Sequence, residues 1–230
     1  MQDKLLSIAI DGPVSAGKST LSDAVANHLG ILHLDTGAMY RAVGLCALRK
    51  GIPPEDEQRV VDMCLNGHAR VDVDYVNQSQ RTLLNGQDVS EDIRTEEVGF
   101  AASTVSRYPD VRKYLVERQR EIAGKTSILM DGRDIGTVVL PNAPVKIFLT
   151  ASPQARAKRR YQQLLRQGRE ADFDKVLVDL IARDKQDAGR KADPLRQAED
   201  AVLLDTSDMD FESSMRAILD VVEARYGKQQ

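Results

Sequence analysis

The stretch Gly12 to Thr20, "GPVSAGKST", follows directly on the apolar run "LLSIAID", Leu5 to Asp11. It fits G-x-x-x-x-G-K-[ST], the phosphate-cradling loop of many nucleotide-binding proteins. A short, nearly continuous apolar run predicts a strand buried on both faces. Beyond the loop, Leu21, Val25 and Leu29 recur at helical spacing, which predicts a helix over Gly17 to Leu29. A glycine-containing loop between strand and helix turns several backbone N–H groups toward one point, and the helix adds the positive end of its dipole. Lys18 then places an ammonium against the outer phosphates, and the Ser19 hydroxyl can take a site on Mg²⁺. The expected cradle is Gly12, Pro13, Val14, Ser15, Ala16, Gly17, Lys18, Ser19 and Thr20.

The pattern continues outward from the loop. "ILHLD" (Ile31 to Asp35) reads as a second strand, and Thr36 as the cap of a helix ended near Lys50 by Gly51 and the Pro53-Pro54 pair. Glu55 to Leu65 reads as a further helix. "ARVDVDYV" alternates apolar and polar residues, and "RTLLNGQDVS" carries an Asn85-Gly86 turn signal. Ala69 to Ser90 is therefore expected as a small antiparallel sheet inserted into the alternating pattern. Helices resume at Thr95 to Ser106 and Pro109 to Ala123. "SILMDG" (Ser127 to Gly132) and "VKIFLT" (Val145 to Thr150) are two more buried strands, and "AVLLDT" (Ala201 to Thr206) is a last strand. Between the last two lie paired helices with a turn at Gly168, and Asp210 to Tyr226 closes the chain as an amphipathic helix. The fold class this implies is α/β, a five-stranded doubly wound parallel sheet with a small inserted antiparallel β subdomain and a helical lid.

The 230 residues suit one compact domain, with 42% hydrophobic and 29% charged residues, as in ordinary globular proteins. The net charge of -3 argues against a dedicated nucleic-acid binder. Trp is absent and aromatics are 4%, so the core is built from aliphatic residues. Cys46 and Cys64 fall in apolar helical stretches without metal or redox spacing and read as buried free thiols. No stretch is long and apolar enough to span a bilayer and no signal-peptide pattern precedes the first strand, so a cytoplasmic location is expected.

A phosphate loop alone does not separate a switch from a transferase. A guanine-nucleotide switch would read its base with N-K-x-D, and no asparagine here begins that pattern. From Pro153 to Arg196 there are twelve Lys/Arg against seven Asp/Glu, with "RAKRR" (Arg156 to Arg160) the densest cluster. Phosphoryl transfer concentrates negative charge, and its catalysis is mainly positioning and neutralisation. Arginines on a mobile helical pair suit closure over such a group. "LDTGAMYR" (Leu34 to Arg41) and "MDGRDIGT" (Met130 to Thr137) both leave the carboxyl end of a strand, the edge where open parallel sheets bind ligands. Arg133 and Asp134 stand adjacent at that edge, as ligand groups, as each other's partner, or as a helix cap.

"IDGPVSAGKST", "LDTGAMYR", "EDIRTEEV", "VRKYLVERQR", "DGRDIGTVVLPNAPVKIFL", "RAKRR" and "RDKQDAGR" occur here in the order seen in bacterial cytidylate kinases. The chain resembles that family from about Ile8 to Thr206. The resemblance implies a nucleoside monophosphate kinase-like member of the P-loop proteins that phosphorylates CMP and dCMP with ATP and Mg²⁺. It implies a core of residues 1–66 and 107–230, an inserted monophosphate-binding subdomain of about 67–106, and a lid of about 153–170. Carried across, the loop would hold ATP phosphates and Ser19 the metal. Thr36, Tyr40 and Arg41 would line the monophosphate site. Ser103, Arg112 and Asp134 would read the base. Arg41, Arg133 and Arg190 would hold the acceptor phosphate, and Asp187, with Arg183 nearby, the sugar. Arg156, Arg159 and Arg160 fall in the lid, and Lys18, Arg133, Arg156 and Arg190 are the expected catalytic set. Val14-Ser15 stands where the family more often has two small residues, and Thr36 replaces a frequent serine.

Cytosine supports the base assignment on chemical grounds. Its pairing edge offers one amino donor and two acceptors. A carboxylate such as Asp134 accepts from the amino group, and arginine and serine donate to the acceptors. Uracil would set a carbonyl against that carboxylate, which is costly in a dry pocket. The acceptor phosphate is already largely deprotonated, so no general base is needed and His28, His33 and His68 read as structural or surface residues. Kinases of another small acceptor such as UMP, and a non-transferring nucleotide switch, are the competing readings. The expected partners are the two nucleotides alone, bound by a monomer without nucleic acid or membrane.

Overall fold

A computed structural model describes residues 5–227. The apolar run at the start becomes strand β1 (Ser7–Asp11), in which Ile8, Ala9 and Ile10 have no exposed surface. Burial on both faces explains why this run lacks the alternation of a half-exposed strand. Helix α1 (Lys18–Leu29) follows the phosphate loop, then β2 (Leu32–Asp35), α2 (Thr36–Arg49) and α3 (Glu57–Leu65). An antiparallel sheet of β3 (Val71–Val76), β4 (Ser79–Leu84) and β5 (Gln87–Asp88) comes next. Helices α4 (Glu96–Val105) and α5 (Pro109–Ala123) lead to β6 (Ile128–Gly132), and a single π-type turn at Ile135–Val139 leads to β7 (Val145–Thr150). Helices α6 (Pro153–Arg166) and α7 (Phe173–Ala188), strand β8 (Val202–Asp205) and helix α8 (Phe211–Tyr226) complete the chain.

The main sheet has the order β2-β6-β1-β7-β8 with every pair parallel. The chain therefore leaves β1 to one side and later returns to the other, which makes the carboxyl end of β1 the topological switch point where such sheets bind ligands. The two faces carry separate cores. Leu21, Val25, Ile218 and Val222 from α1 and α8 pack on Ile8, Ile10 and Leu129. Met39, Val43, Val105 and Leu115 from α2, α4 and α5 pack on Ala9, Ile128 and Met130. The α2–α4 crossing is tight: a Cβ on Gly44 would lie 2.9 Å from the Ala102 nitrogen. Cys46 and Cys64 are buried free thiols in α2 and α3.

Two details differ from the sequence expectation. The α2 cap is Asp35, not Thr36: Asp35 Oδ1 accepts from the Ala38 N–H at 3.1 Å, while Thr36 begins the helix and donates its hydroxyl to the Asp131 carbonyl at 2.8 Å. Both residue types cap, and the one that leaves the strand with extended backbone takes the role. The small sheet also has a second tight turn, at Asn77–Gln78, where both residues adopt positive φ (50° and 65°). Asn tolerates that region, but Gln is a weak turn signal, so only Asn85–Gly86 stood out. The insert is tied to the end of β2. Gln80 Oε1 accepts from the Asp35 N–H at 2.7 Å, and the Tyr75 hydroxyl donates to the His33 carbonyl at 3.0 Å. Among the described residues no helix is long and apolar enough to cross a membrane.

Candidate active site

The phosphate loop is shaped by its backbone. Gly12 has φ 153°, Ser15 φ 59° and Gly17 φ 95°. A Cβ on Gly12 would fall 1.9 Å from the Leu149 carbonyl oxygen, so the loop passes β7 at a distance only glycine permits. Gly17 caps α1 without a side-chain hydrogen bond, and no acidic residue stands in the first turn. The free N–H groups at that end are left to a ligand. Lys18 is buried and donates to the Pro13 carbonyl at 2.8 Å. Burial, reinforced by the positive charge of Arg133, pushes its ammonium down to about 7.

Beside the loop, the Ser19 hydroxyl donates to Asp131 Oδ2 at 2.9 Å. The other oxygen of Asp131 meets His33 Nε2 at 2.7 Å. Burial lowers the basicity of His33, but the hydrogen bond and charge of Asp131 outweigh it and hold the imidazole above its ordinary value. His33 is thus structural and buried, while His28 and His68 lie on the surface. Asp11, at the end of β1, accepts from the Ile135 and Gly136 N–H groups at 2.7 Å each. It thereby fixes the segment that carries Arg133 and Asp134, and burial raises its carboxyl to about 6.

Arg133 and Asp134 do not pair with each other. Asp134 pairs with Arg112 of α5, and both are buried. Arg112 also binds Asp193 through Nε at 2.7 Å and the Ser106 carbonyl at 3.2 Å, and it lies 5.6 Å over the ring of Tyr40. Burial raises the Asp134 carboxyl although Arg112 pulls it down. Arg133 instead binds Asp187 Oδ2 on α7 at 2.8 Å, and Asp187 also pairs with Arg190. Among the described residues, Arg183 Nε and Arg190 Nε are buried without a hydrogen-bond partner. Burial and the neighbouring charge of Arg133 bring Arg183 down to about 10. Such a concentration of cations, incompletely paired, is the electrostatic signature of an anion site. Arg41 extends the positive surface, donating to the Ile93 carbonyl at 2.9 Å.

The phosphate loop and most of the arginines and carboxylates around it open onto one cleft of about 840 Å³ at the carboxyl edge of the sheet. It is lined by Val14 to Thr20, Thr36, Tyr40, Arg41, Ser103, Arg112, Arg133, Asp134, Arg159, Arg160, Arg183, Asp187 and Arg190. Gly12, Pro13 and Arg156 are not on its wall. Arg156 is buried behind it, donating to the Ala151 and Val14 carbonyls at 2.8 and 3.1 Å and pairing with Asp184. Arg159 donates to the Ala16 carbonyl at 3.2 Å. The basic helix α6 is therefore joined to the phosphate loop itself. Sequence reasoning missed Asp35, Arg94, Asp131, Met209, Phe211 and Ser214 on the cleft wall. Asp35 directly precedes Thr36 and Asp131 lies two residues before Arg133, and that nearness was the available signal.

A loop of this geometry on a parallel sheet, facing a second anion site across one cleft, defines a P-loop phosphotransferase of the nucleoside monophosphate kinase group. A family model described as cytidylate kinase matches residues 8–224, and the chain belongs to that family. Relatives named cytidylate kinase include that of Mycobacterium leprae, 47% identical over 96% of this chain and 96% of its own length. That of Caldicellulosiruptor bescii is 45% identical over 95% and 96%, and that of Bacillus subtilis 41% over 97% and 99%. Among solved structures, an uncharacterized protein from Eubacterium ventriosum shares the fold with a TM-score of 0.55 at 13% identity, over 96% of this chain and 99% of that one.

Proposed function

We propose that the chain transfers the terminal phosphoryl group of ATP to the phosphate of CMP and dCMP, acting as a cytoplasmic monomer. The supporting observation is the shared cleft: the phosphate loop with Lys18, the arginines around Asp187, and the Arg112–Asp134 pair all line it. In this reading residues 67–106 and 153–170 are the acceptor-binding subdomain and the lid. The loop N–H groups and Lys18 hold the donor's phosphates. Arg41, Arg133 and Arg190 hold the acceptor phosphate, and Asp134, Arg112 and Ser103 read the base. Two nucleotides bound along this cleft would meet phosphate to phosphate, and alignment rather than proton transfer is what the protein supplies.

The residues present fit Mg²⁺. The Ser19 hydroxyl and the Asp131 carboxylate, 2.9 Å apart beside the loop, are the hard oxygen donors that this ion prefers. When bound, Mg²⁺ neutralises phosphate charge and orients the transferring group. The reading is tested by ADP release with ATP and, side by side, CMP, dCMP and UMP. Transfer to CMP and dCMP with UMP far behind supports it. ATP hydrolysis without transfer to any monophosphate overturns it.

A further inference from the structure

Ser103, on α4, lines the same cleft as the Arg112–Asp134 pair. A serine hydroxyl has one proton to donate and lone pairs to accept with, and which of the two it shows a ligand depends on its other partners. Gln186, on α7, donates its side-chain amide to Ser103 Oγ at 3.0 Å and to the Ser103 carbonyl at 3.3 Å. The Ser103 hydroxyl itself finds no acceptor among the described residues. The next residue along α7 is Asp187, which holds Arg133 and Arg190.

We propose that Gln186 is a specificity-positioning residue: by donating into Ser103 Oγ it leaves the hydroxyl proton to be given to an acceptor on the pyrimidine's pairing edge. This rests on the reading of the site as a CMP site. A hydroxyl whose lone pair is occupied by an amide presents its proton outward. Cytosine, with two acceptors along that edge, matches such a donor. Because Gln186 and Asp187 are consecutive on α7, one turn of that helix sets both the base contact and the arginines of the phosphate end. The seating of α7 against α4 therefore completes recognition of the pyrimidine as it assembles the cationic cluster.

Two substitutions separate orientation from packing. Gln186→Leu removes the amide while keeping most of the volume. Gln186→Glu puts an acceptor in its place, so that the hydroxyl turns its proton toward the carboxylate and its lone pair toward the base. The expected result is a rise in KM for CMP of about tenfold for Gln186→Glu and a smaller rise for Gln186→Leu, with KM for ATP unchanged. In a Ser103→Ala background the two substitutions become equivalent, because no hydroxyl remains to be oriented. Unchanged KM for CMP in both variants overturns the proposal. So do equal rises for CMP and ATP, or a Gln186→Glu effect that survives in Ser103→Ala, since those are marks of a packing defect. A wild-type chain that transfers nothing to CMP instead overturns the substrate reading, which the wild-type assay reports separately.

Discussion

Asp187 on α7 accepts from Arg133, which follows β6, at 2.8 Å, and with its second oxygen it pairs with Arg190. One buried carboxylate thus joins a residue of the rigid sheet edge to the basic helical segment. Although burial pushes it up, the charges of Arg133 and Arg190 hold Asp187 below the usual carboxylate range. It balances a group that also includes Arg183, and without it like charges face one another at close range.

Asp187→Asn is therefore expected to cost about 3 kcal/mol, because removing one partner leaves buried charge uncompensated. Inorganic phosphate supplies the missing negative charge and restores more of the melting temperature in the variant than in the wild type. Thermal melts with and without phosphate check this, and equal phosphate effects on the two proteins count against the balancing role.

Lys18→Ala is expected to lower turnover by about a thousandfold, the scale of losing one preorganised charge at a phosphoryl transfer centre. Among the described residues the ammonium donates only to the Pro13 carbonyl within its own loop, so the fold survives, and circular dichroism read beside kcat distinguishes the two losses.

The depressed ammonium of Lys18 also predicts proton linkage. The free protein holds this group near 7, and the phosphates of ATP stabilise its charged form. Above that value, binding must take up a proton, so ATP affinity falls as pH rises, by up to about tenfold per unit. Calorimetry at pH 8.5 in buffers of different ionisation enthalpy then registers uptake of roughly one proton. Lys18→Met abolishes the uptake, and uptake that persists in that variant assigns it to another group.

Asp134→Ala removes both the carboxylate expected to accept from the cytosine amino group and the partner of a buried guanidinium. CMP affinity is expected to fall tenfold to a hundredfold, roughly one lost charge-assisted hydrogen bond, with ATP affinity little changed. Equilibrium binding of each nucleotide alone checks this, and parallel losses would place Asp134 in the scaffold rather than at the base.

Gly12→Ala is expected to destabilise by more than about 3 kcal/mol, since the added methyl meets backbone 1.9 Å away and not a side chain that could move. Urea denaturation measures it. A variant of native stability would mean that β7 and the loop separate more readily than their packing implies.

Much was legible before folding because it is local. The strand–loop–helix around Lys18 rests on an apolar run, a glycine pattern and a helical repeat that lie within 25 residues of one another. The three inner strands β1, β6 and β7 announce themselves as continuous apolar stretches because both of their faces are covered, whereas the edge strand β8 leaves Leu203 exposed. What local pattern cannot carry is which distant side chains meet. Arg133 and Asp134 are neighbours in the chain, yet one binds Asp187 and the other Arg112, 54 and 22 residues away. Arg156, read as a closing group, is instead buried behind the phosphate loop, and Gln186, although it stands within "RDKQDAGR", gave no sign of its contact with Ser103. The sheet order 2-6-1-7-8 is what brings Arg112, Asp134, Arg190 and Lys18 to one rim. The sequence by itself determined the elements and their chemistry, since these follow from hydrophobic period and residue type over a few turns of chain. Only the tertiary structure decided the pairing of charges, because a guanidinium takes whichever carboxylate the packed helices leave within reach.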